Sequence, residues 1–451
     1  MKRWLKLCFC IICFVMVCCQ NVFGQERMNV PSVSRLEEAG RSTAQQQTSW
    51  MDVADQFSDF HSEDLNLYAK SAVLTDAETG RILYGKAANT SMANASTTKI
   101  MTCLLAIESG MLGDTVSFSE YACKMPKVRL GCSVGTQFVL EDLLYSLMLE
   151  SHNDTAVAVA EYVAGSVDAF AERMNARAAE LGCQNTHFVT PNGLDSSDEG
   201  GAHQTTAYDL SLIMAACMQN DKFLEITETA SKTITSVDGT FQAALHNHNA
   251  LLSMVDGVIS GKTGFTAKAG YCYVGAYRKE DRVYTFALLA CGWPNNKGYK
   301  WEDSRKLLAY GNETYARQLY TWKQERSQIR IRNGVKAEEA GTETDRSSVY
   351  LINRHGYTYP EQLAAETEAV QQELLLSDTD VITEKWNLPD DLEAPVQKGD
   401  VIGEHILFLN GCQILTQPVY AAETVENFDY RWCLNYVLKN GFFLLLFPDG
   451  I

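Results

Sequence analysis

The 451-residue sequence is short of the features that mark several large protein classes. It has only nine prolines, and its 46% hydrophobic and 21% charged content excludes a collagen-like, low-complexity or wholly disordered chain. Basic residues are in deficit, 38 Lys and Arg against 56 Asp and Glu, for a net charge of −18. Long-range repulsion from such a surface argues against a nucleic-acid partner. No apolar run reaches the roughly 20 residues that a spanning helix needs. HExxH, GxGxxG and the Walker A loop are absent, the eight histidines are scattered, and no CxxC occurs beyond residue 24. Neither a metal nor a cofactor is therefore expected.

What is present begins with Lys2, Arg3 and Lys6, an apolar run over 7–19, and Val22-Phe23-Gly24 ending on a small residue. This is the layout of a secretory signal peptide, expected over 1–24. Its removal would take three positive charges, so −18 becomes −21, and five of the 14 cysteines (8, 10, 13, 18 and 19), leaving nine. An odd number cannot pair completely within one chain. Cys103, Cys217, Cys272 and Cys291 lie in apolar runs and read as small core residues.

Residues 25–65 are polar and read as a flexible lead-in. Apolar runs at 68–76 and 81–85 bracket Ala77-Glu78-Thr79-Gly80, a β-hairpin signal. Apolar periodicity predicts helices over 96–109, 140–149, 167–181 and 206–218, with a further helix capped by Asp154 and stopped by Gly165. The period then shortens to strands at 233–237, 269–277 and 282–291, and a helix over 301–320 closes the segment. Strands at both ends with helices between them predict an α+β domain at 66–320, an antiparallel sheet built from both ends of the segment. A charged connector is expected at 321–346. A small β-rich domain at 347–424 is expected from strand-length pieces at 348–352, 381–383, 401–409 and 413–420. In the tail, 425–451, the apolar stretch 441–447 lies near Arg431, Trp432, Tyr436 and Lys439, the composition of a segment lying in a membrane interface.

Three short motifs carry chemistry. In Ser96-Thr97-Thr98-Lys99, a spacing of three at a helix start puts the hydroxyl and the amine on one face. Serine is a poor nucleophile and needs a base within reach. Lysine can serve if burial and a second cation lower its pKa. In Ser151-His152-Asn153, a loop between helices presents Ser151 to relay a proton and Asn153, both donor and acceptor, to bind a substrate amide. In Lys262-Thr263-Gly264, read as preceding a strand, Gly264 admits close backbone approach and Lys262 supplies charge for a carboxylate. Each motif alone is common as a capping or turn sequence. Their joint order is the signal.

The trio, with Ala95 to Thr102, Glu141-Asp142-Leu143-Leu144-Tyr145, Asn185-Thr186-His187-Phe188, Pro191-Asn192-Gly193-Leu194 and Phe265-Thr266, resembles the low-molecular-mass penicillin-binding proteins that act as D-alanyl-D-alanine carboxypeptidases. The likeness covers about 66–310, and Ala394-Pro395-Val396 with Lys398-Gly399-Asp400 is similar to the family's C-terminal β domain. The resemblance implies a β-lactamase/transpeptidase-like domain followed by a small β-rich domain. It implies that Ser96 is acylated by a peptidoglycan stem peptide ending in D-Ala-D-Ala, with Lys99 as proton acceptor and Ser151 as shuttle. Lys262, Thr263 and Gly264 would bind substrate, the main-chain N–H groups of Ser96 and Phe265 would form the oxyanion hole, and β-lactams would be covalent inhibitors. Asn94 stands where the family usually has proline, and His152 is bulkier than its usual glycine or alanine. Lys300 replaces an arginine thought to pair with the substrate carboxylate, giving charge without the bidentate fork. The implied location is the cell envelope, outside the cytoplasmic membrane and attached to it through the tail. The alternatives are another serine acyl-enzyme of the same fold, a β-lactamase with Glu150 as extra base or a transpeptidase, and a catalytically silent wall-binding protein.

Overall fold

A computed structural model describes residues 65–322, 326–332, 334–336, 361–366, 370–427, 430–432 and 434. The expected signal peptide, the lead-in up to residue 64, the strand at 348–352 and the apolar stretch at 441–447 lie outside the described residues. The chain divides into two units, one of 49–318 with 373–380, the other holding 319–372 and 381–451.

The first unit is organised by five strands, β1 (Ser71–Asp76), β2 (Ile82–Lys86), β3 (Val258–Thr266), β4 (Gly270–Lys279) and β5 (Arg282–Leu289). They form one antiparallel sheet in the order β2-β1-β5-β4-β3, so strands from both ends of the segment meet where β1 pairs with β5. Alternation along β1 assigns the two faces. Val73 joins Val274, Ala276, Ala287 and Leu289 in a core shared with the helices Lys99–Glu108 (α1) and Ala207–Cys217 (α2). Ala72 and Leu74 join Tyr284, Phe286 and Leu288 in a second core with Leu307 and Leu308 of Tyr299–Thr314 (α3). The sheet is thus apolar on both faces and covered on both, so β1 is buried at every residue.

Several expectations are corrected in this unit. Helix α3 ends at Thr314, and a strand, Ala316–Trp322, follows where the helix was expected to run on to 320. The Lys-Thr-Gly motif lies inside β3 rather than before a strand. Helix Asn153–Ala164 is entered through His152, and Asp154 sits in its first turn instead of capping it. The Asp154 carboxylate accepts from the N–H groups of Leu130 and Gly131, both at 2.9 Å. Residues 373–380, expected within the C-terminal domain, belong to this unit. Buried Arg81 donates to the Leu375 carbonyl at 2.8 Å and pairs with Asp380 at 2.5 Å.

The second unit is built on a six-stranded sheet in the order Ile382–Asn387, Val401–Leu409, Cys412–Ala421, Glu361–Glu366, Arg326–Arg332, Asp391–Glu393. Its core contains Ile329, Ile331, Leu392, Val396, Ile402, Val419 and Val425. The strand Arg326–Arg332 corrects the expected connector, and Val425–Asn427, assigned to the tail, pairs with Gly334–Lys336.

Candidate active site

The first motif is a single 3-10 turn, Ala95–Thr98, that runs straight into α1. Ala95 has a left-handed φ of +50°, a conformation that needs support from its surroundings. Buried Asn94 supplies part of it, its side-chain amide donating to Thr97 Oγ1 at 3.1 Å and Thr98 Oγ1 at 2.9 Å. Thr97 and Thr98 donate back to the carbonyls of Asn94 and Ala95 at 2.7 and 2.8 Å. His203 completes the set. Its Nδ1 accepts from the N–H groups of Val189 and Thr190, which puts the proton on Nε2, 2.8 Å from Thr98 Oγ1. Burial pushes the His203 imidazole down to about 4, so it stays neutral in this role.

Lys99 is completely buried. Its Nζ lies 2.8 Å from Ser96 Oγ, 2.9 Å from Asn153 Oδ1 and 2.8 Å from the Asn192 carbonyl oxygen. Asn153 Oδ1 and the Asn192 carbonyl can only accept, whereas the serine hydroxyl can donate. A neutral amine therefore fits fully: two hydrogens go to the two acceptors and the lone pair faces the Ser96 proton. Burial first, and the neighbouring Lys262 charge second, hold the Lys99 pKa far below the usual lysine range, with Asp154 opposing. Lys262 is itself buried and pushed down to about 7 by that burial.

The third motif reaches the first by backbone contact. In the pairing of β3 with β4, Lys262 lies opposite Val274 and Gly264 opposite Cys272, and both partners belong to the core on the α1 side. Residues directly opposite share a face, so Lys262 and Gly264 face the nucleophile turn. A Cβ at 264 would lie 2.9 Å from the Asn94 carbonyl oxygen and 3.0 Å from the backbone nitrogens of Ser96 and Thr97. Only glycine permits that approach. Phe265 follows, 41% exposed, with its ring against Tyr271. Lys300, on α3, donates to the Lys297 carbonyl and lies 4.8 Å over the Tyr271 ring, so it reaches the site through the Tyr271–Phe265 pair. Burial pushes it down to about 8.

In the second motif Ser151 ends a π-helical turn, Ser146–Glu150, in left-handed backbone (φ +66°). Its buried hydroxyl has no hydrogen-bond partner among the described residues. Asn153, expected to meet a substrate amide, is committed elsewhere. Its Oδ1 holds Lys99 and its Nδ2 donates to the Pro126 carbonyl at 3.3 Å. His152 packs its Nδ1 on Ser146 Oγ at 2.8 Å. Glu150 accepts from the His246 N–H at 2.7 Å and pairs with His248 at 2.9 Å. Burial raises its pKa, and those two hydrogen bonds more than offset it, leaving Glu150 lowered. A carboxylate tied down in this way is not placed as a base for water, as a β-lactamase of this fold would require.

Sequence reading assigned no role to Asn192, Gly193, Asn94 or His203. The first two lie in a quoted stretch, and the positive φ of Gly193 (+81°) marks the close packing of that loop on Ala95. One pattern is also passed over: Gly131-Cys132-Ser133-Val134-Gly135 spells the five residues of a hydrolase nucleophile elbow. The stretch is loop before the strand Gln137–Val139, with Ser133 exposed, and lacks the strand–turn–helix context that such an elbow requires.

A family profile described as D-alanyl-D-alanine carboxypeptidase matches residues 58–289, and one described as the C-terminal domain of penicillin-binding protein 5 matches 376–427. The D-alanyl-D-alanine carboxypeptidase DacF of Bacillus subtilis is 28% identical over 365 residues, 79% of this chain and 86% of the relative. DacB2 of Mycobacterium tuberculosis, which bears the same enzyme name, is 32% identical over 54% of this chain and 82% of its own. The crystal structure of a D-alanyl-D-alanine carboxypeptidase from Mycobacterium tuberculosis aligns with a TM-score of 0.51 at 31% identity, covering 54% of this chain and 91% of that one. Penicillin-binding protein 5 of Haemophilus influenzae aligns over 82% of this chain and 100% of its own, with a TM-score of 0.58 at 24% identity, a likeness of fold.

Proposed function

Since the chain belongs to the D-alanyl-D-alanine carboxypeptidase family, we infer that its cleft releases the terminal D-alanine of a peptidoglycan stem peptide through an ester on Ser96. The protein is a serine-type D-alanyl-D-alanine carboxypeptidase with a β-lactamase/transpeptidase-like fold and a C-terminal β domain. The residue roles are our own reading. The observation that carries it is the surroundings of the Lys99 amine, two obligate acceptors and one serine hydroxyl.

Uncharged Lys99 takes the Ser96 proton as Oγ attacks the carbonyl carbon of the penultimate D-alanine. The developing oxyanion is met by the N–H groups of Ser96 and Phe265, a reading supported by the close approach of Gly264, next to Phe265 in the chain, to the nucleophile turn. The proton passes through Ser151, whose hydroxyl is free to engage, to the amine of the departing D-alanine. Water then attacks the ester, giving its proton back along the same groups, and Ser96 is restored. Lys262 and Thr263 hold the terminal carboxylate, and Lys300 adds a second positive charge beyond Tyr271. A β-lactam enters by the same attack and remains as the ester.

Fluorescent penicillin is expected to label the parent protein, and Ser96→Ala to abolish both the label and D-alanine release. Labelling of Ser96→Ala at the parental rate would overturn the assignment of the nucleophile. Absence of label on the parent would favour a silent wall-binding protein.

We also propose export by residues 1–24 and attachment to the outer face of the cytoplasmic membrane through the tail. Support comes from the basic and apolar layout of the first segment and from the aromatic and basic residues flanking 441–447. Among the described residues no helix is long and apolar enough to cross a membrane. Because Val425–Asn427 is a paired strand, the truncation that tests the tail removes 428–451. The shortened protein is expected to leave the membrane fraction with its peptidase activity intact. Continued membrane binding would refute the anchor.

A further inference from the structure

We propose that Cys123 and Cys132 form a disulfide that closes the 124–131 loop beside the active site. Cys123 ends the short helix Glu120–Cys123, and its thiol donates to the Cys132 carbonyl at 3.5 Å. Arg129 donates across the same gap to the Cys123 carbonyl at 3.1 Å. Both ends of the loop are thus already together, and closing it requires little movement.

The loop is not peripheral. Its Val128 carbonyl accepts the Asn153 N–H at 2.8 Å, its Pro126 carbonyl accepts the Asn153 side-chain amide at 3.3 Å, and the Leu130 and Gly131 N–H groups hold Asp154. Asn153 in turn holds the Lys99 amine. A covalent closure at 123 and 132 therefore stiffens the wall that fixes the general base.

Selectivity follows from access. Cys103 and Cys217 are also neighbours, but both are fully buried in the helical core, whereas Cys123 is half-buried and within reach of an oxidant. The oxidant is a disulfide, either a small-molecule disulfide or that of a thioredoxin-type oxidase, as an oxidising compartment supplies. The Cys123 thiolate attacks one sulfur of the donor, forming a mixed disulfide and expelling the first donor thiol. The Cys132 thiolate then attacks the Cys123 sulfur, closing the ring and expelling the second. Two electrons and two protons pass from the cysteines to the donor, which ends as two thiols. Burial raises both thiol pKa values, Cys132 to about 12. Little of either thiol is ionised at neutral pH, so closure is slow, and high-pKa thiolates are poor leaving groups, so the closed bond resists reduction.

The test uses the purified full chain in oxidised and reduced glutathione at graded ratios, alkylated under denaturing conditions and digested with trypsin. Lys124, Lys127 and Arg129 separate the two cysteines, so a cross-link joins two peptides. The expected result is a cross-linked pair 2 Da lighter than the sum, with fragmentation placing the bond at Cys123. Hydrogen exchange at 124–131 should slow by about tenfold or more on oxidation. Cys123→Ser and Cys132→Ser should each remove both effects. Two alkylated or two glutathionylated cysteines at saturating oxidised glutathione would overturn the proposal, as would a cross-link with unchanged exchange in the loop.

Discussion

Lys99→Met is expected to lower the rate of Ser96 acylation by roughly a thousandfold or more, about 4 kcal/mol at the transition state, while the fold persists. Methionine matches the length of the lysine stem in the closed space around Nζ but offers no lone pair. It leaves Asn153 Oδ1 and the Asn192 carbonyl without their donor, at about 1–3 kcal/mol for each buried acceptor. Against that, the variant no longer has to desolvate an amine, which is itself unfavourable. The two contributions oppose, so the melting temperature should move little while acylation collapses. Stopped-flow labelling with fluorescent penicillin beside a thermal melt separates them. Fast labelling by the variant would show that another group takes the proton.

The same geometry fixes the sign of the pH dependence. Lys99 works uncharged, so acylation falls as pH drops and the amine gains its proton. Lys262, pushed down to about 7, becomes charged over the same fall, and its charge penalises that of Lys99. The acid limb thus belongs to the pair, and Lys262→Met, which deletes the second cation, should move it to higher pH. Stability carries the same sign. Between about 7 and 10.5 the unfolded chain binds a proton that folded Lys262 refuses, so through this group stability rises with pH across that window.

Why three motifs were legible and their scaffold less so has a physical reason. The spacing of Ser96 and Lys99 is a local property of a helical turn, and local properties are written in contiguous residues. The β1–β2 hairpin and helix α2 were legible for the same reason, with boundaries shifted by at most three residues. Lys262-Thr263-Gly264 reads as preceding a strand, not as part of one, because Gly261 and Gly264 weaken a strand. The reason for Gly264 lies 168 residues earlier, where the nitrogen of Ser96 would meet its Cβ. Asp154 has the composition of a cap, yet its carboxylate serves the loop at 130–131, a partner that no helical pattern reveals. In the charged stretch after 320, Ile329 and Ile331 are buried on either side of exposed Arg330, a period of two hidden under charge. The Asn192 carbonyl left no signal of its own, because every residue type offers a carbonyl and only the turn at Gly193 aims this one at Lys99.

That turn yields the second large prediction. Gly193→Ala would place a Cβ 2.0 Å from the Ala95 carbonyl oxygen, 2.4 Å from its carbon and 2.8 Å from Thr98 Oγ1, on a residue with φ +81°. The obstacle is backbone, and Ala95 is already held in left-handed conformation by Asn94, Thr98 and His203, so it has little freedom to retreat. The loop carrying Asn192 must move instead, and the Asn192 carbonyl leaves the Lys99 amine. Acylation should fall by about a hundredfold, and stability by about 2–5 kcal/mol, the sum of overpacking and left-handed strain. Gly110→Ala is the matched control. Its φ is +74°, but nothing lies within 4 Å of the added methyl, so it carries the strain alone, about 1–2 kcal/mol, with parental labelling. If both variants label at the parental rate and melt together, the loop at 191–194 does not position the base. If Gly193→Ala loses labelling while Gly110→Ala keeps it, the carbonyl at 192 acts through the placement of Lys99, and the acyl-enzyme chemistry depends on a main-chain acceptor for the lysine amine.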